Sequence, residues 1–233
     1  MRAARAASAG IVTDCLGQSM ADPARTGQPA GLRAPGGPGP PLRRARRSGG
    51  LTLRENGHGG NVEPAVSVRR EREGDEPAVD ALLRRAFPHP AEAELVSRLR
   101  REVRGWIALV AQREDAIAGQ IFFSPVVIEG EGDPWPAIAL GPMAVEPAAQ
   151  RRGIGSALVR AGLAACAAAG ERLVFVLGHP AYYPRFGFRL AAPLGLRYGD
   201  GPFDRAFFVA ELRAGTLPGP CGRVRYPPAF DAV

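Results

Sequence analysis

The stretch from Leu140 to Ala157, LGPMAVEPAAQRRGIGSA, carries the strongest structural signal in the chain. Its pattern of apolar residues predicts a strand, a loop and the first turns of a helix. Gly153 and Gly155 fall where the first N–H groups of that helix lack partners within the helix, so a phosphate can approach the backbone and accept several hydrogen bonds. Arg151 and Arg152 add positive charge beside this turn. The stretch therefore favours a binding site for a pyrophosphate.

Two other phosphate-binding motifs are excluded by the residues themselves. A P-loop requires Gly-Lys-Ser/Thr, and all 30 basic residues of this chain are arginine. The dinucleotide fingerprint requires a third glycine three residues after Gly155, where Leu158 stands. A Gly-x-Gly pair taken alone is also compatible with an ordinary tight turn, and that alternative stays open on these residues.

Hydrophobic periodicity on both sides of this stretch predicts alternating helices and strands. Alternation of apolar and polar residues at 65–69 is typical of a half-buried strand, and apolar spacing of three and four predicts a helix after Asp75, which can cap it. The predicted strands are 65–69, 106–112, 117–128, 137–145, 173–177, 188–191 and 207–212. The predicted helices are 75–87, 90–105 and 153–170, with a short helical turn at 180–185.

The order of these elements predicts an α+β fold with a mixed, mostly antiparallel central sheet flanked by helices. Short polar turns join the strands before residue 145, as antiparallel neighbours require. The apolar run Leu173–Leu177 follows a crossover helix, so it should lie parallel to strand 137–145. Gly141-Pro142 interrupts that strand, and because proline cannot donate to a ladder, we expect a bulge or a splay there.

Charge is concentrated in the first 61 residues. They hold nine arginines against three acids and so contribute +6 of the total +7, which leaves residues 62–233 near neutral. Gly, Pro, Ser and Arg dominate residues 1–61 without a sustained period, and such a segment is predicted to be disordered because it cannot bury enough apolar surface. A start codon assigned too far upstream and a functional basic tail are the alternatives. Residues 62–233 are predicted to form one domain, and no nucleic-acid partner is expected for it.

Cysteine content and hydropathy bear on compartment and cofactors. Cys15, Cys166 and Cys221 lack the spacing of metal ligands or of a disulfide framework, so no metal is expected. The first twenty residues have no apolar signal region, and no run of eighteen apolar residues occurs. A cytoplasmic protein without membrane contact is therefore predicted.

Three linked motifs resemble those of a known family. Residues 150–155, QRRGIG, resemble the Gln/Arg-x-x-Gly-x-Gly/Ala signature of the GNAT superfamily of N-acetyltransferases. Residues 178–188, GHPAYYPRFGF, place Tyr183 four residues before a Gly-Phe pair, as many GNAT proteins do. Together with the late element 226–230, YPPAF, the chain is similar over residues 65–230 to an uncharacterised bacterial branch of predicted GNAT acetyltransferases.

The resemblance implies a function and a set of binding residues. It implies that acetyl-CoA is the co-substrate and that the acetyl group passes directly to a primary amine of a small molecule or peptide. The splayed strand would pair with the pantetheine arm, and the following loop would bind the pyrophosphate. The implied coenzyme-binding residues are Met143, Ala144, Val145, Gln150, Arg151, Arg152, Gly153, Ile154, Gly155 and Ser156.

The resemblance also implies a general acid. It assigns protonation of the departing thiolate to Tyr183, and a tyrosine, with an ordinary pKa of about 10, carries its proton at neutral pH. Tyr182 is interpreted as a packing residue and Cys166 as structural, because direct transfer needs no acyl-enzyme. Glu146, just past the strand that flanks the thioester, is the candidate base. Glu92, Glu94, His179 and a water relay remain alternatives.

A second functional hypothesis uses the same fold without catalysis. The chain could bind an acyl-CoA as a sensor or partner module and never turn it over. The sequence does not choose between a monomer and a homodimer.

Overall fold

The computed structural model describes residues 66–199, 203–217, 219 and 221–232. The predicted leader 1–61 lies outside the described residues. The strands are β1 Val66–Arg70, β2 Ile107–Arg113, β3 Ala116–Glu129, β4 Trp135–Val145, β5 Leu173–Leu177, β6 Arg189–Leu190, β7 Leu196–Tyr198, β8 Phe207–Glu211 and β9 Gly222–Arg225. The α-helices are α1 Glu76–Ala86, α2 Ala91–Glu102 and α3 Ile154–Ala168. Short 3-10 helices span Pro147–Ala149, Tyr183–Phe186, Ala192–Leu194 and Pro228–Ala232.

The described strands form one mixed sheet, which confirms the predicted fold class. Its main path runs β1-β2-β3-β4-β5-β8-β6. Neighbours on this path are antiparallel except β4 and β5, which are parallel because α3 crosses over between them. β9 adds to the second half of β3 and pairs in parallel with β7. Neither β7 nor β9 was predicted from the sequence.

Gly141 and Pro142 form a bulge in β4, as their sequence predicts. Ile121 of β3 pairs with Met143, yet Phe123 pairs with Leu140, so two residues of β4 oppose one of β3. The parallel pairing between β4 and β5 ends at the Leu140 position, immediately before the bulge. β4 continues along β3 to Val145 without β5 beside it. The two central strands are therefore splayed from the bulge onward.

The helices cover opposite faces of the sheet. α3 packs on β2, β3 and β4, and this contact is close because Gly162 has no side chain: a Cβ there would lie 2.5 Å from the ring of Phe123. α1 and α2 cover the other face, where Leu82, Leu99 and Phe122 belong to one buried cluster. The splay of β4 from β5 thus lies between the layer formed by α3 and the layer formed by α1 and α2.

The predicted cap of α1 is wrong in its detail. Asp75 does occupy the position before the helix, but its carboxylate makes no hydrogen bond to the N–H groups of the first turn. The carboxylate instead accepts from the guanidinium of Arg69 at 2.7 and 3.0 Å and from the N–H of Arg72 at 2.8 Å. A bidentate ion pair satisfies the carboxylate more fully than a single capping bond, because both oxygens are used.

Among the described residues, no helix has the length and hydropathy that are needed to cross a bilayer.

Candidate active site

The loop between β4 and α3 leaves the first turn of the helix open to an incoming group. The side-chain amide of Gln150 donates to the carbonyl of Val145 at 3.2 Å and ties the loop to the end of the strand. Arg151 (φ 62°) and Gly153 (φ 86°) both have left-handed backbone conformations. Apart from Gly153 itself and its neighbours in the chain, no described atom lies within 4 Å of the position that a Cβ of Gly153 would take. The space above the N-terminus of α3 is therefore accessible.

Hydrogen bonding to β3 sets the direction of the β4 backbone groups after the bulge. The N–H of Glu146 donates to the carbonyl of Ala118 at 2.9 Å. Because bonded and non-bonded pairs alternate along antiparallel strands, Met143 and Val145 direct their backbone groups away from β3, toward the side where β5 has ended. The carbonyl of Val145 accordingly accepts its bond from Gln150. This edge can pair with an extended, amide-bearing ligand as an added strand would.

A cavity of about 320 Å³ lies in front of this loop. Its lining consists of Val145, Gln150, Arg151, Gly153, Gly155, Ser156, Tyr182 and Arg185. Six of the ten residues predicted to bind coenzyme thus meet at one cavity. The side chains of Met143, Ala144 and Ile154 are buried in the core, so these residues could contact a ligand only through their backbone. Arg152 is exposed and is not among the lining residues.

Tyr183 begins the short 3-10 helix that follows β5. Its ring packs directly on the backbone of Gly178, since a Cβ at Gly178 would overlap the ring carbons. Gly178 follows the last residue of β5, so the ring lies at the carboxyl end of that strand. Phe188 contacts the same ring edge-on, with the centroids 5.6 Å apart. Tyr183 is buried and is not among the residues that line the cavity, although its neighbour Tyr182 is.

Tyr182 and Arg185 are lining residues that the sequence interpretation missed. Tyr182 was expected only to pack, and it does meet the Tyr183 ring edge-on at 5.1 Å. It also faces the cavity, and the guanidinium carbon of Arg185 lies 4.5 Å from its ring centroid. Residues three apart in a 3-10 helix lie above one another, so the spacing of Tyr182 and Arg185 was a usable signal for their shared face.

Glu146, the predicted base, forms an ion pair. Its carboxylate accepts from the guanidinium of Arg85 in the last turn of α1 at 2.8 Å, and its side chain remains 29% exposed. Glu94 is exposed on α2. The carboxylates of Glu146 and Glu94 are thus both in contact with solvent.

Of the other two candidate bases, Glu92 is buried and His179 accepts a hydrogen bond from the backbone. Glu92 is 4% exposed, and one of its carboxylate oxygens has no hydrogen-bond partner among the described residues. Burial raises the pKa of this carboxyl group, while its own backbone N–H and nearby His89 act in the opposite direction. The Nδ1 atom of His179 accepts from the N–H of Ala181 at 3.2 Å, which gives this histidine a structural role in the turn after β5.

The thiol of Cys166 is buried in the core. Burial raises the pKa of the Cys166 thiol to about 12, so this cysteine is protonated and a poor nucleophile. The described residues contain no group of three or more side chains arranged to hold a metal ion.

Comparison with known proteins agrees with these features. A family model described as an acetyltransferase (GNAT) domain matches residues 67–191. An uncharacterized N-acetyltransferase of Escherichia coli strain K12, YhbS, is 38% identical over 165 residues, which are 70% of this chain and 98% of YhbS.

Two solved structures resemble the fold closely. The crystal structure of Escherichia coli YhbS in complex with CoA matches with a TM-score of 0.68 at 35% identity, over 75% of this chain and 96% of YhbS. A GNAT family acetyltransferase from Brucella melitensis in complex with acetyl-CoA matches with a TM-score of 0.57 at 32% identity, over 71% of this chain and 98% of that one. By its family match, its relatives and its architecture, this chain belongs to the GNAT family of acetyltransferases.

Proposed function

We propose that this acetyltransferase takes acetyl-CoA as its donor and passes the acetyl group directly to a primary amine of a small molecule or peptide. The observation that carries the proposal is the cavity at the N-terminus of α3, which adjoins the open side of β4. The two similar structures crystallised with CoA and with acetyl-CoA support the choice of donor. The catalytic domain is proposed to be residues 62–233.

The coenzyme site divides into two parts along β4 and α3. Backbone groups of Met143 and Val145 are proposed to pair with the pantetheine arm beyond the bulge, whereas those of Ala144, between them, face β3. The loop and first helical turn, residues 150–156, are proposed to bind the diphosphate, because several N–H groups point into a space that Gly153 leaves open. The positive charge of Arg151 strengthens this site for an anion.

Tyr183 is proposed to be the general acid. Attack of the amine nitrogen on the thioester carbon forms the N–C bond and breaks the C–S bond, and the amine must lose one proton on the way to the amide. Tyr183 donates its phenolic proton to the departing thiolate at the carboxyl end of β5. Its proton is then replaced from solvent, so the enzyme returns to its starting state.

Glu146 is the proposed base that receives the proton of the amine. It lies directly after β4, the strand proposed to flank the thioester, and its partner Arg85 is on the surface. Glu92 is the other candidate, because a buried carboxylate with a raised pKa accepts a proton at higher pH than an exposed one. Separate Glu146→Gln and Glu92→Gln variants distinguish them: the variant of the true base loses the acidic limb of the pH–rate profile.

Titration and turnover test the whole proposal. The wild-type protein is titrated with acetyl-CoA by calorimetry, and thiol release is then followed over a panel of primary amines and short peptides. We expect saturable binding and amine-dependent thiol release. Binding without release from any amine would favour a non-catalytic acyl-CoA-binding module, and absence of binding would overturn both functions.

A further inference from the structure

The short 3-10 helix after β5 and the residue before it carry both the proposed acid and two residues that line the cavity. Tyr183, the proposed acid, packs on Gly178 at the end of the strand. Tyr182 and Arg185, immediately beside it, line the cavity at the N-terminus of α3. A group bound in that cavity would therefore touch the same turn that holds the acid.

Arg185 is exposed, and contacts with its neighbours restrain its guanidinium. Its Nε donates to the carbonyl of Tyr182 at 3.1 Å, and its guanidinium lies over the Tyr182 ring. The Phe186 ring centroid is 5.5 Å from the same guanidinium carbon. A guanidinium stacked on aromatic rings keeps its remaining N–H groups in a fixed plane, so little entropy is lost when they bind an anion.

The positive charge of Arg185 is not balanced by an acid. Within the part of the chain that the structure describes, Arg69, Arg84, Arg85 and Arg100 each form an ion pair with a carboxylate, whereas Arg185 forms none. Arg151 faces the same cavity and likewise has no carboxylate partner there. Two such cations at one cavity with an open helix N-terminus favour a ligand with more than one negative charge.

We propose that Arg185, supported by the Tyr182 ring, binds the diphosphate of the coenzyme from the side opposite the N-terminus of α3, and that this contact positions Tyr183. The proposal rests on the proposed function, since it adds a second wall to that coenzyme site. Arg185 is a positioning residue for the reaction, because its bond to the Tyr182 carbonyl joins the anion site to the start of the helix that holds the acid.

A set of truncated ligands tests the binding part. Arg185→Gln is titrated with CoA, with 3′-dephospho-CoA, which keeps the diphosphate, and with pantetheine, which has no phosphate. Loss of charge-assisted hydrogen bonds predicts roughly ten- to hundredfold weaker binding of CoA and of 3′-dephospho-CoA alike, and unchanged binding of pantetheine. Arg189→Gln is the matched control, because Arg189 is exposed and its guanidinium is 3.9 Å from the Glu211 carboxylate.

Three results would overturn the binding part. Unchanged affinity of Arg185→Gln for CoA would remove Arg185 from the site. A loss confined to CoA would assign the contact to the 3′-phosphate instead of the diphosphate. Equal losses for all three ligands would show that the substitution acts by disturbing the fold. Absence of CoA binding by the wild-type protein is a different result, because it contradicts the proposed function itself.

Turnover tests the positioning part. With an amine that the wild-type protein acetylates, Arg185→Gln is expected to lower kcat at saturating acetyl-CoA and to leave the rate with S-acetylpantetheine at the wild-type value. Arg185→Lys, which restores charge without the planar group, should recover part of the acetyl-CoA rate. Tyr182→Leu removes the supporting ring and should reproduce the pattern of Arg185→Gln. A kcat with acetyl-CoA equal to that of the wild type would exclude the positioning role.

Discussion

Backbone conformation at Arg151 and Gly153 shapes the proposed anion site as much as any side chain does. Both residues are in the left-handed region within three positions, and together they reverse the chain between β4 and α3. Glycine adopts this conformation without strain, whereas a residue with a Cβ costs about 1–2 kcal/mol there. The φ angle thus explains the glycine at 153, and the open space beside it is where the anion is proposed to bind.

Gly153→Asp is expected to abolish coenzyme binding. The new carboxylate would occupy the space above the helix N-terminus and repel the diphosphate. Gly153→Ala is the matched control, because it introduces the strain without the charge and should weaken binding only about tenfold. Calorimetry with acetyl-CoA measures both, and an unchanged affinity of Gly153→Asp would show that the diphosphate binds elsewhere.

Tyr183→Phe is expected to slow turnover while coenzyme affinity stays within a few fold. The ring still packs on Gly178, and only the proton donor is lost, so kcat should fall roughly a hundredfold. Tyr182→Phe keeps the support for Arg185 and should retain near-normal turnover. A wild-type kcat for Tyr183→Phe would assign the acid to another group.

Glu92→Gln is expected to stabilise the fold at neutral pH. Burial raises the pKa of Glu92 above its ordinary 4.5, so the folded state is favoured when the carboxyl is protonated, and this advantage is lost as pH rises through the folded-state pKa. A neutral amide has no such loss. The free energy of unfolding should therefore rise by about 1–3 kcal/mol at pH 8, and this rise should shrink toward pH 4.5.

Urea unfolding at several pH values measures this effect. Glu94→Gln, on the exposed face of the same helix, should change little at any pH. A gain for Glu92→Gln that is equal at pH 5 and pH 8 would contradict the assignment of the raised pKa to burial.

Elements with a strong local pattern were predictable from the sequence, and those that depend on distant partners were not. α1, α3 and β5 agree with their predicted positions within a few residues because apolar spacing alone specifies them. β7 and β9 have three and four residues, too few for a periodic signal, and β9 forms by pairing with β3, almost a hundred residues away. The bulge was predictable because proline has no N–H to donate.

The candidate site also has one part that the sequence predicts and another that it does not. The turn proposed to bind phosphate is contiguous in sequence, so the order of residues 150–156 along the chain is enough to propose it. Arg185 and Tyr182 come to the same cavity only through the fold of the segment after β5. The ion pair of Glu146 with Arg85 joins a strand end to a helix that precedes it by more than fifty residues, and no local pattern indicates it.

The packing of α3 on the sheet depends on a missing side chain. Gly162→Ala is expected to destabilise the fold although alanine is the better helix former by about 1 kcal/mol. The added methyl would lie 2.5 Å from two ring carbons of Phe123, which is fully buried and cannot move aside. Overpacking of this kind costs about 1–3 kcal/mol, so a net loss is expected.

Urea unfolding of Gly162→Ala against the wild type measures this net effect. Ala164→Gly, at an exposed position of the same helix, isolates the propensity contribution and should cost about 1 kcal/mol. If Gly162→Ala proved as stable as the wild type, the approach of α3 to β3 would have to be looser than the structure describes.

At the scale of the whole molecule, most of the net charge lies outside the part of the chain that the family model matches. Residues 1–61 contribute +6 of the total +7, and the family model matches only within 67–191. The high overall charge therefore says little about the surface around the proposed coenzyme site, where the anion preference is proposed to come from Arg151, Arg185 and the helix N-terminus.

A protein consisting of residues 62–233 is expected to bind acetyl-CoA with the same Kd as the full chain and to unfold at the same Tm. The reason is that YhbS matches this chain over 98% of its own length, so a chain of about the matched part forms a folded protein in that relative. Calorimetric titration and thermal unfolding of both proteins measure the two quantities.

Retention of both proteins on immobilised DNA at low salt is a third comparison, and equal retention would show that the arginines of 1–61 do not act as a nucleic-acid tail. A drop in Tm or in coenzyme affinity on removing residues 1–61 would contradict the proposed boundary, because it would mean that part of this segment packs on the domain or contributes to its site.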